Sequence, residues 1–472
     1  MALQYDNPVW TNDFITALNA NPGISDSTAD AISALLDLDN AQSVTIAGWD
    51  GITDEATLPE GKDADVLAIA VAGTDAVDLE VPANAATAKV IIIESDADVT
   101  LTVGEEASAT ARVAAAVAPS DLIVVGGNGD DTLTINGSVN ATVDGGDGND
   151  TIITGAGNDV VIGGAGDDTI DTGAGNDTII TGQGNDTIAA GAGYDVIQVE
   201  GTKASFSAAA EGDALVLTGL DANADNSVTV TGAEFITYTD GTLAVVETEA
   251  EASALRLYEG LLGRDADQIG AEYWSAQAAA GTSQTSIAET FLSGKEYQNH
   301  LNDSFVEGLY TSLLDRPADE EGEAAWLNAL ANGTSRADVV AAFAEGTEAQ
   351  KVNLSNSEYV DALYDSALGR TAEAEGLTNW VAQLSAGVSR GDIADQIFGS
   401  TEAAHHANTE FVDSLYTNAL GRTDTDTDTV GKAGWLAALD HGATQAEVVV
   451  GIVGSQEAQD HATNVIVVHG AV

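Results

Sequence analysis

GGDGNDTII, TGAGNDVVI, GGAGDDTID, TGAGNDTII, TGQGNDTIA and AGAGYDVIQ, residues 145–198, are one nine-residue sentence written six times without a gap. Positions 2 and 4 are always glycine, position 6 is always aspartate and position 8 is always Ile or Val. Self-similarity at a fixed period defines a repeat architecture. Glycine at alternate positions lets the backbone take φ > 0 and turn carbonyl oxygens inward, which a residue with a Cβ resists. The apolar position 8 then faces a shared core. If two units make one coil, Asp150, Asp168 and Asp186 fall in one column and Asp159, Asp177 and Asp195 in the opposite one, stacked about 4.8 Å apart. At an effective dielectric of about 20, two unit charges that close cost roughly 3 kcal/mol per neighbouring pair, so each column needs a counterion. A hard cation with oxygen ligands fits: calcium accepts carboxylates and carbonyls in irregular geometry, magnesium demands a tight octahedron, and zinc prefers His or Cys. The chain has no cysteine and the repeats have no histidine.

The run resembles the RTX (repeat in toxin) parallel β-roll, whose signature GGxGxDxUx it matches through six consecutive units. In that family each calcium sits between successive turns on one side, held by position 6 carboxylates with position 2 and position 4 carbonyls. The resemblance therefore implies several calcium ions, with Asp150, Asp159, Asp168, Asp177, Asp186 and Asp195 as carboxylate ligands. It implies Gly146, Gly148, Gly155, Gly157, Gly164, Gly166, Gly173, Gly175, Gly182 and Gly184 as carbonyl donors. GGNGDDTLT at Gly126–Thr134 reads as one more unit and adds Asp131. INGSVNATV, which follows, departs by putting Asn140 where aspartate belongs, and Asp144 reads as an extra residue that shifts the register. Tyr194 at position 5 of the last unit marks the end of the stack.

Net charge is −62, from 76 acidic and 14 basic residues. That balance argues against nucleic acid and anionic membranes as partners. With 44% hydrophobic residues the chain reads as packed domains rather than an acidic disordered coil. No run approaches the 18 apolar residues of a membrane span, so no membrane insertion is expected. MALQYDNPVW shows no basic and then apolar leader pattern, so export without an N-terminal signal peptide is expected. RTX proteins characteristically leave through a type I secretion channel with an uncleaved C-terminal signal. The apolar NVIVVHGAV is compatible with such a signal, and equally with a terminal strand. The expected address is extracellular or at the cell surface.

Around the repeats the expected fold class is multidomain β + α: a right-handed parallel β-roll or β-solenoid in the N-terminal half and an all-α array of helical hairpins in the C-terminal half. Residues 1–60 form an N-terminal helical or mixed segment, with DSTADAISALLDL as a helix capped by Ser27 or Asp26. Residues 61–125 hold VLAIAVAG, AVDLEVP, AKVIIIES and DVTLTV, short β-branched strands at regular spacing. These read as solenoid coils without calcium turns, stacked on the roll that spans 126–199. Residues 200–249 form a β cap, with an Asp-Gly hairpin signal at Asp240 and Gly241. The stretch from Asp221 resembles half an EF-hand loop but has Asn226 and Gly232 where Gly and Glu are required.

Residues 250–472 carry a second repeat of about 52 residues in four copies. Tyr258, Tyr310, Tyr364 and Tyr416 each precede an arginine by six residues: Arg264, Arg316, Arg370 and Arg422. A tryptophan follows each: Trp274, Trp326, Trp380 and Trp435. Asp267, Asp319 and Glu373 stand three residues after their arginines, whereas the fourth copy has an insertion bearing Asp424, Asp426 and Asp428. SRAD from Ser335, SRGD from Ser389 and TQAE from Thr444 carry the capping-box pattern. This half resembles a domain of unknown function frequent, often in tandem, at the C-termini of secreted RTX proteins. Two readings of its motif stand open: arginines that tie acidic loops to helix ends, or a saccharide site with the tryptophans as stacking platforms. Asp424–Asp428 is also a candidate helical calcium loop.

Catalytic patterns are absent from the sequence: no HExxH, no GxSxG elbow, no cysteine nucleophile and no Walker loop. The paired histidines His405 and His406 are a weak metal pattern, and the chain is not expected to be an enzyme. Three functional classes follow. The first is a secreted, calcium-dependent structural protein of the bacterial surface or matrix (a surface-layer, matrix or filament subunit), self-associating through the helical repeats. The second is an adhesin or carbohydrate-binding protein with a surface or matrix polysaccharide as partner. The third is a hydrolase or toxin-like effector.

Overall fold

Position 8 of the nonapeptides becomes a spine. Ile152, Val161, Ile170, Ile179, Ile188 and Ile197 are all at most 1% exposed and belong to one continuous core. We describe a computed structural model over residues 9–19, 24–41, 43–59, 61–103, 121–220, 224–314, 316–345, 354–422 and 428–468. The chain divides into two units: residues 1–249 with 267–273 and 464–472, and residues 250–266 with 274–463.

In the first unit successive strands alternate between two sheets, so that one coil takes two nonapeptides. On one sheet Thr142 pairs with Val160 and Val160 with Thr178, both parallel. On the other sheet Thr132, Thr151, Thr169 and Thr187 pair in sequence, also parallel. Side chains alternate along each strand, so the position 8 Ile and Val point inward while their strand neighbours, such as Thr169 and Asp171, point outward. Among the described residues one sheet has eleven strands and the other nine.

The strands before the repeats are coils of the same kind. Val66–Ala70 and Val90–Glu94 extend one sheet, Val77–Leu79 and Val99–Val103 the other, all parallel, joined to the repeats at Asp121–Val125 and Thr132–Ile135. The unbroken run VIII at Val90–Ile93 is explained by burial on both faces. Ile91 and Ile93 face the spine, while Val90 and Ile92 lie under the N-terminal helices Thr11–Leu18 and Asp26–Leu35, with Phe14 and Ile32. The cap of the second helix is Ser25, whose Oγ accepts the Thr28 N–H at 3.1 Å, rather than Ser27 or Asp26. After the repeats Phe235–Thr237 and Thr242–Val246 form an antiparallel hairpin around Asp240 and Gly241. Val465–Val467 then adds a parallel strand to Thr242–Val246, so the helical half does not run to residue 472 as expected. Within the apolar NVIVVHGAV, Val465–Val467 is a strand.

Asp144 is not an extra residue. It pairs with Ile162 in the regular register. Thr134 pairs with Ile153, while Gly137 lies beneath Gly155 as Gly155 lies beneath Gly173. The additional residue therefore sits at the corner Ile135–Asn136, where a turn absorbs it without moving a strand.

The second unit is built of helices, and its four copies close on themselves rather than forming an open array. The tyrosine-bearing segments Tyr258–Leu262, Lys295–Leu314, Asn356–Leu368 and Thr401–Asn418 contact one another in cyclic order, the fourth meeting the first. Arg336–Glu345 packs on Arg390–Phe398, and Gln445–Val453 packs on Gln284–Ser293. A hairpin that is apolar on both flanks leaves two uncovered ends in an open stack; closure covers both. Gly260 lies at the seam, where a Cβ would meet the side chains of Val453 at 3.0 Å and Ala419 at 3.4 Å.

Ile179→Ala should cost about 2–5 kcal/mol in calcium, as large-to-small changes at fully buried sites do. Ile153→Ala, at a position 38% exposed, should cost less than about 1 kcal/mol. Denaturant unfolding followed by far-UV circular dichroism measures both, and equal losses would contradict the spine.

Candidate metal centre

The turns bring the position 6 carboxylates into two columns. Asp131, Asp150, Asp168 and Asp186 stack on one side: Asp131 N–H donates to Asp150 Oδ1 at 2.8 Å, Asp150 N–H to Asp168 Oδ1 at 2.8 Å and Asp168 N–H to Asp186 Oδ1 at 3.1 Å. On the other side Asp159 N–H donates to Asp177 Oδ1 at 2.7 Å and Asp177 N–H to Asp195 Oδ1 at 2.8 Å. The position below Asp159 is Ala141, whose N–H reaches Asp159 Oδ1 at 2.7 Å. Asn140 instead occupies position 5, accepting the Asn158 N–H at 2.8 Å. The correction follows from the corner insertion: position 6 of that unit is Ala141, and the second column starts one coil later than the first.

In every one of these carboxylates but Asp131, one oxygen is satisfied and the other is not. Oδ2 of Asp150, Asp159, Asp168, Asp177, Asp186 and Asp195 is buried without a hydrogen-bond partner, in residues at most 2% exposed. Six such oxygens in two rows are a large departure from the rule that buried polar atoms are paired. Asp131 differs, since Val99 N–H and Gly127 N–H each reach one of its oxygens at 2.8 Å. Its place at the head of the column is thus held by the protein alone.

Burial pushes Asp150, Asp186 and Asp195 up to about 7 and Asp168 to about 6, and it raises Asp131, Asp159 and Asp177 as well. The glycines stack equally closely. Gly164 has φ +109°, and a Cβ on it would collide with the carbonyl oxygen of Gly146. Gly155 and Gly157 do not take positive φ; they are required by close approach, to Gly137 and Val139. The Gly155 and Gly173 carbonyls each accept an N–H from the next coil at 2.9 Å, which leaves one lone pair apiece. Among the described residues no three acidic or imidazole side chains converge into a metal cluster. A cation here would combine stacked carboxylates with backbone carbonyls, an all-oxygen donor set that suits calcium.

Asp144, on the outer face, holds an unrelated role. Its Oδ2 accepts from Thr28 Oγ1 at 2.7 Å and from Ser25 N–H at 3.4 Å, fastening the second helix to the roll. The half EF-hand from Asp221 and the loop acids Asp424 and Asp426 fall at least partly outside the described residues.

In the helical unit the repeated motif is assembled inward. Each arginine lies over the tyrosine six residues before it, at 4.8, 4.7, 5.0 and 5.2 Å for Arg264, Arg316, Arg370 and Arg422, a cation–π geometry. Arg264, Arg370 and Arg422 also grip an acid that opens a later helix: Glu296, Glu402 and Glu457. Asp319 Oδ1 accepts the Gly322 N–H at 2.9 Å, and Asp428, despite the insertion, does the same for Gly431 and pairs with Arg422. The tryptophans are half-buried. Trp274 and Trp326 lie on Phe291 and Phe343, Trp380 donates its N–H to Tyr364 Oη at 3.0 Å, and the Trp435 ring covers Gly451. His405 and His406 turn to separate acids, Asp440 and Glu410, and form no common site.

Comparison with known families agrees with this division. Residues 136–170, 144–179 and 162–197 match the RTX calcium-binding nonapeptide repeat, and residues 247–301, 288–353, 349–407 and 398–462 match a domain of unknown function, DUF4214. A search of curated proteins finds no match. The chain carries RTX repeats, and RTX repeats bind calcium ions.

The carboxylates titrate near 3.8 in an unfolded chain and higher when buried. Without a cation the folded roll thus holds more protons than the unfolded chain between about pH 4 and 7, and its stability falls as pH rises through that window. In chelator, acidification from pH 7.5 to 5 should increase β content by circular dichroism; in calcium, protons compete for the same oxygens and affinity should drop. A chelated roll that gains β content with rising pH would contradict this.

Proposed function

We propose that the chain is a secreted structural protein of the bacterial surface or extracellular matrix, a surface-layer, matrix or filament subunit, that folds outside the cell on binding calcium. The observation that carries the reading is the set of six buried, unpartnered carboxylate oxygens. Asp150, Asp159, Asp168, Asp177, Asp186 and Asp195 would hold the ions, with Gly146, Gly148, Gly155, Gly157, Gly164, Gly166, Gly173, Gly175, Gly182 and Gly184 as carbonyl donors and Asp131 as a structural head. In a cytosol poor in calcium the columns repel and the nonapeptide repeats stay extended, fit for passage through a type I channel. In an extracellular medium binding free energy becomes folding free energy.

The helical repeats are assigned to contacts between copies. Their arginines, tyrosines and tryptophans are engaged within the hairpins, which supports a scaffold more than a sugar-stacking surface. With a net charge of −62, copies repel one another unless divalent cations neutralise them, so assembly should itself require calcium.

Adding millimolar calcium to dilute protein should produce β structure and then higher-order particles, seen by circular dichroism, light scattering and electron microscopy, both reversed by chelation. Asp168→Asn, in mid-stack, should shift the calcium midpoint to higher concentration, whereas Asp131→Asn should shift it less. Protein that folds in calcium but stays monomeric at high concentration would remove the assembly role, and glycan binding lost in Trp380→Ala with the fold intact would favour an adhesin.

A further inference from the structure

The second column does not stop at the last nonapeptide. Asp195 N–H donates to Glu234 Oε2 at 2.7 Å, the bond that Asp131, Asp150, Asp159, Asp168 and Asp177 each make to the aspartate of the next coil. Val196 pairs with Phe235 in parallel register, which sets Glu234 directly beyond Asp195. Gly232, φ +74°, stacks on Gly191, where a Cβ would press against its backbone N and O. The turn of this last coil is shorter, however. Four steps separate Gly191 from Asp195, and two separate Gly232 from Glu234. Glutamate has one more methylene than aspartate, about 1.5 Å of extra reach, and that reach restores the carboxylate to the column from a tighter turn.

Asp195 is fully buried, and its Oδ2 has no partner. Two carboxylates brought together there repel unless a cation lies between them. Resting on the calcium-folding reading above, we propose that Asp195 and Glu234 form a terminal calcium site, supplied from the cap and not encoded by the nonapeptide pattern. The site makes the cap part of the metal stack, so that closing the roll and filling its last turn are one event. Tyr194 and Phe235 flank it, their rings 6.5 Å apart.

Calcium bound per full-length chain, measured by titration calorimetry and equilibrium dialysis, should fall by one ion in Glu234→Gln, which keeps the acceptor for the Asp195 N–H. Glu234→Asp, too short for this turn, should lose the same ion. Unchanged stoichiometry and affinity in both would overturn the site. A crystal structure of the unaltered chain grown in calcium decides the matter even if the variants misfold. An ion within about 2.3–2.6 Å of the Glu234 carboxylate is expected, and occupied nonapeptide turns with none at Glu234 would refute it. Failure of the unaltered chain to bind any calcium would instead bring down the folding reading, so the two failures are distinguishable.

Discussion

Everything in the roll depends on the stacking of like charges away from water. Each coil contributes two carboxylates to the interior and two spine residues to the core. A buried Ile or Val contributes roughly 1.5–3 kcal/mol. Against it stand about 3 kcal/mol of repulsion for each neighbouring carboxylate pair and several kcal/mol of desolvation for each charge. The two sides are of the same size, so the apolar spine alone leaves the ionised roll marginal at best. A divalent cation reverses the sign of the electrostatic contribution, and it does so only where the turns are already coiled.

The glycines make that reversal possible. Gly146, Gly164 and Gly182 lie so close in successive coils that any Cβ would strike the carbonyl beneath. The same proximity brings carbonyl oxygens and Oδ2 atoms within reach of one ion. The cost is backbone freedom in the unfolded chain, which again favours a coil that forms only when a ligand is present. The helical unit is held differently, by Tyr–Arg stacks and ion pairs such as those of Tyr364, Arg370 and Glu373, none of which needs a metal.

Local periodicity made the roll and its aspartate columns readable in the sequence, because each unit repeats the same turn and the same buried position. What lay outside the period was not readable. Glu234 stands 39 residues after Asp195, in a segment with no nonapeptide spacing, and only the parallel pairing of Phe235 with Val196 brings it into line. Asp144 looked like a register error because the insertion at Ile135–Asn136 leaves no mark beyond a count. The closed ring of four helical copies depends on contacts between the first and last, about 150 residues apart (Gly260 and Val453 are 193 apart at the seam), which no local pattern records. The acidic residues that follow the arginines are legible in the sequence, whereas the arginines' partners Glu296, Glu402 and Glu457 are not.

The central claim, that unpartnered aspartate oxygens make coiling of the roll conditional on calcium, is tested most directly by amide hydrogen exchange. The informative groups are the N–H of Asp131, Asp150, Asp159, Asp168 and Asp177, each bonded to the carboxylate of the next coil. At neutral pH these amides should be strongly protected in calcium and exchange near unfolded rates in chelator, while the helix Asn356–Leu368 keeps its protection in both. Equal protection of the five amides with and without calcium would contradict the account.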